Sequence, residues 1–365
     1  MPREGAEAQP QWTVMAHIDT RGGLAQAADL YERRLRTACE RRGYGLAVQR
    51  LSAVAAPSGG VVASLRVWSG GAWQRHGEVR VADLPEAIAR AGPAALRSLP
   101  AHHVLVVVVA HGTGLMEARE GDRGARALGR ALTAVATAWG RPLDVLGLDT
   151  CFGASLEDLW ELRQVAATIT AAPGLIYSPG LRWDQGLVSA GADDPRELAR
   201  TVTQLGMSQG TADEALVSVE TARLPEIMAA VRDLTTACDG RMPGQGHAIT
   251  LVRSRTRSWG RRNELCDLAG LAAGLADNTD DPALLAAAPR VETAVGESLI
   301  ASWWGGGAAN ADLRGLGVYF PPTFEEIPAS YGGLEFARES GWYRFLQQYW
   351  EWLSAPVLEL TNPPH

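Results

Sequence analysis

Residues 104–110 read Val-Leu-Val-Val-Val-Val-Ala, and no polar side chain interrupts them. A strand with one wet face would alternate polar and apolar residues, and a surface helix would leave a polar stripe. Five β-branched side chains in seven positions favour extended backbone. The run therefore predicts a central strand buried on both faces, which requires a largely parallel sheet with helices above and below. It stops abruptly at His111-Gly112. A second apolar strand, 143–148, stops at Asp149-Thr150-Cys151.

The flanking sequence fits the same plan. Strand patterns are expected at 12–18, 46–51, 61–68, 72–81, 104–110, 143–148 and 167–171, the 72–81 segment closing a hairpin. Helical spacing is expected at 22–42, 84–99, 126–139 and 155–166. Strands alternating with helices place the chain in the α/β class. Beyond residue 195 the pattern favours helices at 196–207, 224–238, 263–276, 282–295 and 342–353, with one strand at 315–320. The glycine-rich stretch 240–246 reads as a mobile loop. Three segments are expected: a disordered tail at 1–11, a core at 12–220, and an extension at 221–365 packed on that core.

Composition narrows the partners. The chain has 365 residues, is 46% hydrophobic and carries a formal net charge of −7, which gives no basis for nucleic acid or an anionic membrane as partner. All 34 basic residues are arginine, so any cleavage after a basic residue of this chain falls after Arg. Cys39, Cys151, Cys238 and Cys266 form no CxxC pair. Residues 1–11 lack an apolar signal-peptide core, and the longest apolar run is too short to span a bilayer. Together these predict a soluble, cytoplasmic protein with free thiols.

His111 and Cys151 lie forty residues apart, room for a loop, a crossover helix and the next parallel strand. Ligands bind beyond the carboxyl ends of such strands, so both residues are expected at one sheet edge. An imidazole beside a thiol generates the thiolate and later protonates a leaving amine. The backbone N–H groups of Gly112 and Cys151 are candidates for an oxyanion hole, since a glycine lets a substrate carbonyl approach. A lone strand-end Cys is more often a buried filler and a lone turn His more often structural. The joint order and spacing carry the reading.

The sequence resembles the clostripain family of cysteine peptidases, relatives of caspases, gingipains and separase. Trp12-Thr13-Val14 with Asp19 and Leu24 resembles the opening strand and turn. Ala110-His111-Gly112 resembles the histidine motif, and Asp149-Thr150-Cys151 the nucleophile motif. Ile176-Tyr177-Ser178-Pro179-Gly180 with Trp183, the stretch 315–321, and Trp342, Phe345, Leu346 and Tyr349 resemble later family segments. The resemblance implies a caspase-like core and cleavage after Arg or Lys, with Asp149 lining the specificity pocket. A buried carboxylate suits a planar guanidinium. Asp19 is a candidate for that same pocket, and Trp183 and Asp184 for its walls.

The polar stretch 117–130 between the two motifs offers nicking sites at Arg119 and Arg123. The resemblance implies activation by cleavage there, by the protein itself or by an upstream protease. It also points, by analogy, to a bacterial defence or cell-death pathway. No cofactor or metal is expected. Some relatives depend on calcium, but the chain shows no EF-hand-like acidic loop. The cluster Arg253, Arg255, Arg257, Arg261 and Arg262 reads as a solvated face. Two other functions fit the same residues: a catalytically silent scaffold or regulatory partner, and a Cys-dependent amidase or ligase.

Overall fold

The structure, a computed structural model, describes residues 9–54, 60–112, 124–189, 191–207, 209–211, 214–306, 313–323, 327 and 330–361. The first half contains β1 (Trp12–Asp19), α1 (Ala25–Arg42), β2 (Gly45–Ala53), β3 (Val61–Ser69), β4 (Ala72–Val81), α2 (Leu84–Ser98), β5 (His103–Val109), α3 (Ala125–Trp139), β6 (Leu143–Asp149), α4 (Leu156–Leu162) and β7 (Ala166–Ala171). The second half contains α5 (Trp183–Leu187), α6 (Pro195–Leu205), β8 (Ala215–Glu220), α7 (Leu224–Cys238), α8 (Met242–Arg255), β9 (Ser258–Trp259), β10 (Leu265–Asp267), α9 (Leu268–Asp277), α10 (Pro282–Ser298), β11 (Leu299–Trp304), β12 (Gly317–Tyr319), α11 (Glu335–Glu339) and α12 (Trp342–Thr361).

Nine strands form one sheet in the order β11-β8-β7-β6-β5-β1-β2-β3-β4. The five central strands, β7 to β2 in that order, are parallel. An antiparallel pair extends each edge, β3-β4 on one side and β8-β11 on the other. The valine run behaves as its composition requires. Val104, Val106 and Val108 enter the core on the side of α2, α3 and α4. Leu105 and Val107 enter a second core that also holds Trp12, Val14, Tyr31, Leu35 and Trp183. Each face is therefore roofed by helices, as the fold class demands.

Several boundaries differ from expectation, for local physical reasons. Residues 1–8 of the expected tail lie outside the described residues. Pro10 and Gln11 do not belong to a free tail, because their carbonyls accept the N–H groups of His102 and His103. The expected helix 263–276 opens instead as β10, paired on both sides, and the helix starts only at Leu268, where Asp267 caps it by accepting from Gly270 N–H. The expected loop 240–246 is mostly the first turns of α8. Gly246 is tolerated there because the Trp352 ring occupies the space a side chain would need.

Arg253 leaves the solvated cluster altogether. It is 4% exposed, and its guanidinium donates to Phe320 O, Ser258 Oγ and Asn263 O. It thereby ties α8 to the strand at 317–319. The segment 221–365, expected as an extension packed on the core, also contributes a strand to the main sheet. β11 pairs with β8 in the main sheet, and Gly317 N–H donates to Ala154 O, just behind Cys151. The α4 carboxylate of Glu157 accepts Tyr319 N–H and the Tyr331 hydroxyl, which fixes the backing of the loop that carries Cys151.

Candidate active site

The register of the two central strands assembles the site. Val109 of β5 pairs with Asp149 of β6, so His111 and Cys151 each lie two residues beyond a matched pair. Both emerge at the carboxyl edge of adjacent parallel strands. The contact between the two turns is close. A Cβ at Gly112 would be driven into the carbonyl oxygen of Cys151 and would lie 2.7 Å from its nitrogen. Gly112 is thus required by backbone-to-backbone approach, rather than by the substrate access expected from sequence. Among the described residues, nothing accepts from the N–H groups of Gly112 and Cys151.

The loop after β1 orients the imidazole. His111 Nε2 lies 2.8 Å from Gly22 O. A carbonyl can only accept, so Nε2 carries the proton and a neutral ring keeps its lone pair on Nδ1. Gly22 sits at φ +65°, and a Cβ there would lie 2.9 Å from Nε2. The sulfur of Cys151 accepts Ile176 N–H at 3.4 Å and lies 3.9 Å from Ile176 O.

Cys151 is half-buried, whereas the other three cysteines are buried. Burial pushes the Cys238 and Cys266 thiols up to about 12 and that of Cys39 higher still. Iodoacetamide near pH 7 is therefore expected to modify one thiol per native chain, at Cys151. Intact-mass and peptide mapping check this, and native labelling at any other cysteine contradicts the burial pattern.

Two clefts flank the pair. The larger, about 450 Å³, is lined by Asp19, Arg21, Leu84, Leu128, Phe152 and neighbours, with His111, Gly112 and Cys151 at its edge. The smaller, about 100 Å³, is lined by Tyr31, Asp149, Ile176, Tyr177, Pro179 and Gly180, again with His111 and Cys151. Asp149 is 5% exposed, and its Oδ2 accepts Leu181 N–H at 2.8 Å. Burial raises its carboxyl to about 6, against the opposing pull of Leu181 N–H, Tyr31 and Arg34. Gly180, at φ +83°, approaches the carboxylate closely, since a Cβ there would come within 2.6 Å of Oδ2.

The remaining candidates are placed differently from expectation. Asp19 lines the larger cleft and not that of Asp149; Arg21 neutralises it at 2.6 Å, with a second bond from Nε. Trp183 lines neither cleft. It is wholly buried and its ring lies over Gly147 of β6, so it is a core residue. Asp184 lines neither cleft and is held by Arg34 at 2.5 Å. Arg119 and Arg123 lie outside the described residues. Among the described residues no group of three or more His, Cys, Asp or Glu could hold a metal ion, and no helix is long and apolar enough to cross a membrane.

Sequence reasoning missed three contributors: the Gly22 carbonyl, Ile176 N–H and Tyr31. The Gly22-Gly23 pair after β1 was a signal for the first. Tyr31 was hidden in a helical apolar pattern.

No family model and no curated protein matches this sequence. Solved structures do match its fold. A secreted C11 cysteine protease from Bacteroides thetaiotaomicron, iotapain, superposes with a TM-score of 0.68 at 11% identity over 91% of this chain and 99% of its own. A secreted C11 cysteine protease of the same organism, in complex with an irreversible peptide inhibitor, gives 0.64 at 13% identity over 91% and 99%. An inactive zymogen C11 protease from Parabacteroides distasonis gives 0.64 at 13% identity over 92% and 99%. The nine-stranded sheet, its flanking helices and the C-terminal segments packed on it together give this chain the fold of the C11, clostripain-like cysteine proteases.

Proposed function

We propose that this protein is a cysteine endopeptidase that cleaves on the carboxyl side of arginine, with Cys151 as nucleophile and His111 as acid–base. The observation that carries the reading is the β5–β6 register, which sets a tautomer-locked imidazole and a half-buried thiol at one sheet edge beside a cleft floored by a carboxylate.

The chemistry follows from the atoms present. His111 Nδ1 takes the Cys151 proton, and the sulfur adds to the scissile carbonyl carbon. The resulting oxyanion is held by the N–H groups of Gly112 and Cys151. The C–N bond breaks as Nδ1–H gives its proton to the leaving amine, which leaves a thioester on Cys151. Water, deprotonated by His111, then adds to the thioester, and the carboxylic acid departs as the thiol re-forms. The Gly22 carbonyl holds the ring throughout and favours the imidazolium intermediate, the role a carboxylate plays in a triad.

A peptide ending in arginine with a thiol-reactive ketone tests the assignment. Covalent labelling of Cys151, lost in Cys151→Ala and in His111→Ala, is the expected result. Labelling that persists without Cys151, or none in the wild type, refutes it.

Gly22→Ala offers a second check. An L-residue at φ +65° costs about 1 kcal/mol, which a chain of this size tolerates. The new methyl displaces the imidazole, and misplacement by about an ångström costs about a hundredfold in rate. A folded protein with kcat down by roughly that factor and KM little changed is expected. Unchanged kcat would show that the carbonyl does not position the ring.

Activation by cleavage between β5 and α3 belongs to the same proposal. Gly112 and Gly124, which bound that segment, both line the larger cleft, and one protein of the same fold was solved as an inactive zymogen. Intact mass of the active protein decides it: a single uncut chain with full activity rejects processing. Unpaired, buried Cys39, Cys238 and Cys266 support a reducing, cytoplasmic setting.

A further inference from the structure

The smaller cleft holds a hydroxyl whose lone pairs meet no donor in the free protein. Tyr31 projects from α1 and is 3% exposed. Its hydroxyl oxygen is buried, its O–H faces the Asp149 carboxylate, and among the described residues no donor reaches its lone pairs. A buried hydroxyl left unpaired costs about 1–3 kcal/mol, so such groups are normally paired. The phenol lines the same narrow cleft as Asp149 and lies in the field of that carboxylate. Among the described residues no cation makes an ion pair with the carboxylate. Arg34 is the nearest contributor, and Asp184 and Pro179 O hold its guanidinium.

Resting on the arginine pocket proposed above, we infer that Tyr31 is its second recognition group: the hydroxyl accepts one N–H of a bound guanidinium while Asp149 accepts others, and this selects arginine over lysine. Donor and acceptor counts support the division. Asp149 Oδ2 already takes Leu181 N–H, which leaves mainly Oδ1 and one lone pair for a ligand. A guanidinium brings five N–H donors in a rigid planar fork and needs acceptors at more than one direction. A lysine ammonium is a compact point charge that the carboxylate alone can satisfy. It leaves the Tyr31 lone pairs without a donor, as they are in the free protein. A site that pairs a buried polar group only with the correct substrate discriminates strongly against one that does not.

Gly180 completes the slot. With no Cβ, it lets a planar group slide past the carboxylate, where any side chain would close the opening. Tyr31 is therefore a specificity residue whose lone pairs are idle until arginine arrives.

The test compares wild type with Tyr31→Phe on two peptides that differ only in Arg or Lys before the scissile bond. The wild type is expected to favour Arg by about a hundredfold, and the variant to lose about tenfold or more of that ratio through kcat/KM for Arg, with Lys cleavage nearly unchanged. Thermal melting should show only a small loss of stability, about 1 kcal/mol, for the one O–H facing Asp149. The iodoacetamide reaction rate at Cys151 should stay constant, which separates recognition from nucleophile activation. An unchanged Arg/Lys ratio in a folded Tyr31→Phe overturns the role of Tyr31 and leaves the arginine pocket standing. A wild type that cleaves neither peptide, yet still alkylates at Cys151, overturns the pocket and this inference together.

Discussion

Asp149→Asn is expected to cut kcat/KM for cleavage after arginine about a thousandfold while leaving the folded protein at least as stable as the wild type at pH 7. The two halves have one cause. The Asp149 carboxyl is buried, and its folded value of about 6 stands above the ordinary 3.8 because desolvation penalises the charged form. The gap corresponds to roughly 3 kcal/mol of stability that the ionised group removes. For an acid raised in the folded state, this penalty is absent below pH 3.8. It develops as pH rises towards 6 and is complete above that. Asparagine keeps an oxygen for Leu181 N–H and carries no charge. Thermal melts should therefore show Asp149→Asn level with or above wild type at pH 7, with the difference vanishing near pH 4.

Catalysis moves the opposite way. Deleting one partner of a desolvated, hydrogen-bonded charge pair costs about 2–5 kcal/mol, which is the expected thousandfold. The same titration predicts that kcat/KM on arginine peptides falls about tenfold per pH unit below 6, because only the ionised carboxylate pairs with guanidinium. Iodoacetamide alkylation of Cys151 reads the dyad without Asp149, so dividing one profile by the other isolates the pocket. An Asp149→Asn protein that still prefers arginine would place the pocket elsewhere. A variant that melts well below wild type at pH 7 would make Asp149 structural.

The strand ends were legible in the sequence and the distances across space were not. The run 104–110 fixes a doubly buried strand, because no other placement hides five β-branched side chains. From that follow the parallel centre, the carboxyl edge, and the meeting of His111 with Cys151. Asp149, two residues before Cys151, lines one cleft with it, as strand ends at a shared edge imply. Asp19, Trp183 and Asp184 were assigned by proximity to motifs, and proximity along the chain does not set the side of a strand. Asp19 falls in the other cleft with its own neighbour Arg21 as counter-ion. Trp183 points into the core.

Arg253 shows the same limit. In a run of arginines one side chain looks like the next, and only the fold decides which one turns inward to carbonyl oxygens. The Gly22 carbonyl and Ile176 N–H are backbone groups, which leave no mark in side-chain identity. β8 and β11 were missed because strands of six residues make short, ambiguous patterns that only pairing resolves.

Gly112→Ala is expected to cost more activity than any other single methyl in the site. Unlike Gly22 and Gly180, Gly112 does not adopt a left-handed backbone, so alanine meets no conformational strain there. The obstacle is purely steric, and it is backbone. The new methyl would overlap the Cys151 carbonyl and lie 2.7 Å from Cys151 N, and neither can rotate away as a side chain would. Relief requires the turns after β5 and β6 to separate. That motion moves the imidazole from the thiol and spreads the two N–H groups proposed to hold the oxyanion. Losing one such donor alone costs about a hundred- to a thousandfold in kcat, and a displaced acid–base adds to it. A fall in kcat of about 10⁴-fold is expected, with a loss of stability of about 1–3 kcal/mol, the range for overpacking. Slower alkylation of Cys151 in the same variant would show that the dyad itself has opened. Full activity in Gly112→Ala would mean that the two turns do not approach closely in the working enzyme, and the oxyanion role of Gly112 would fall with that.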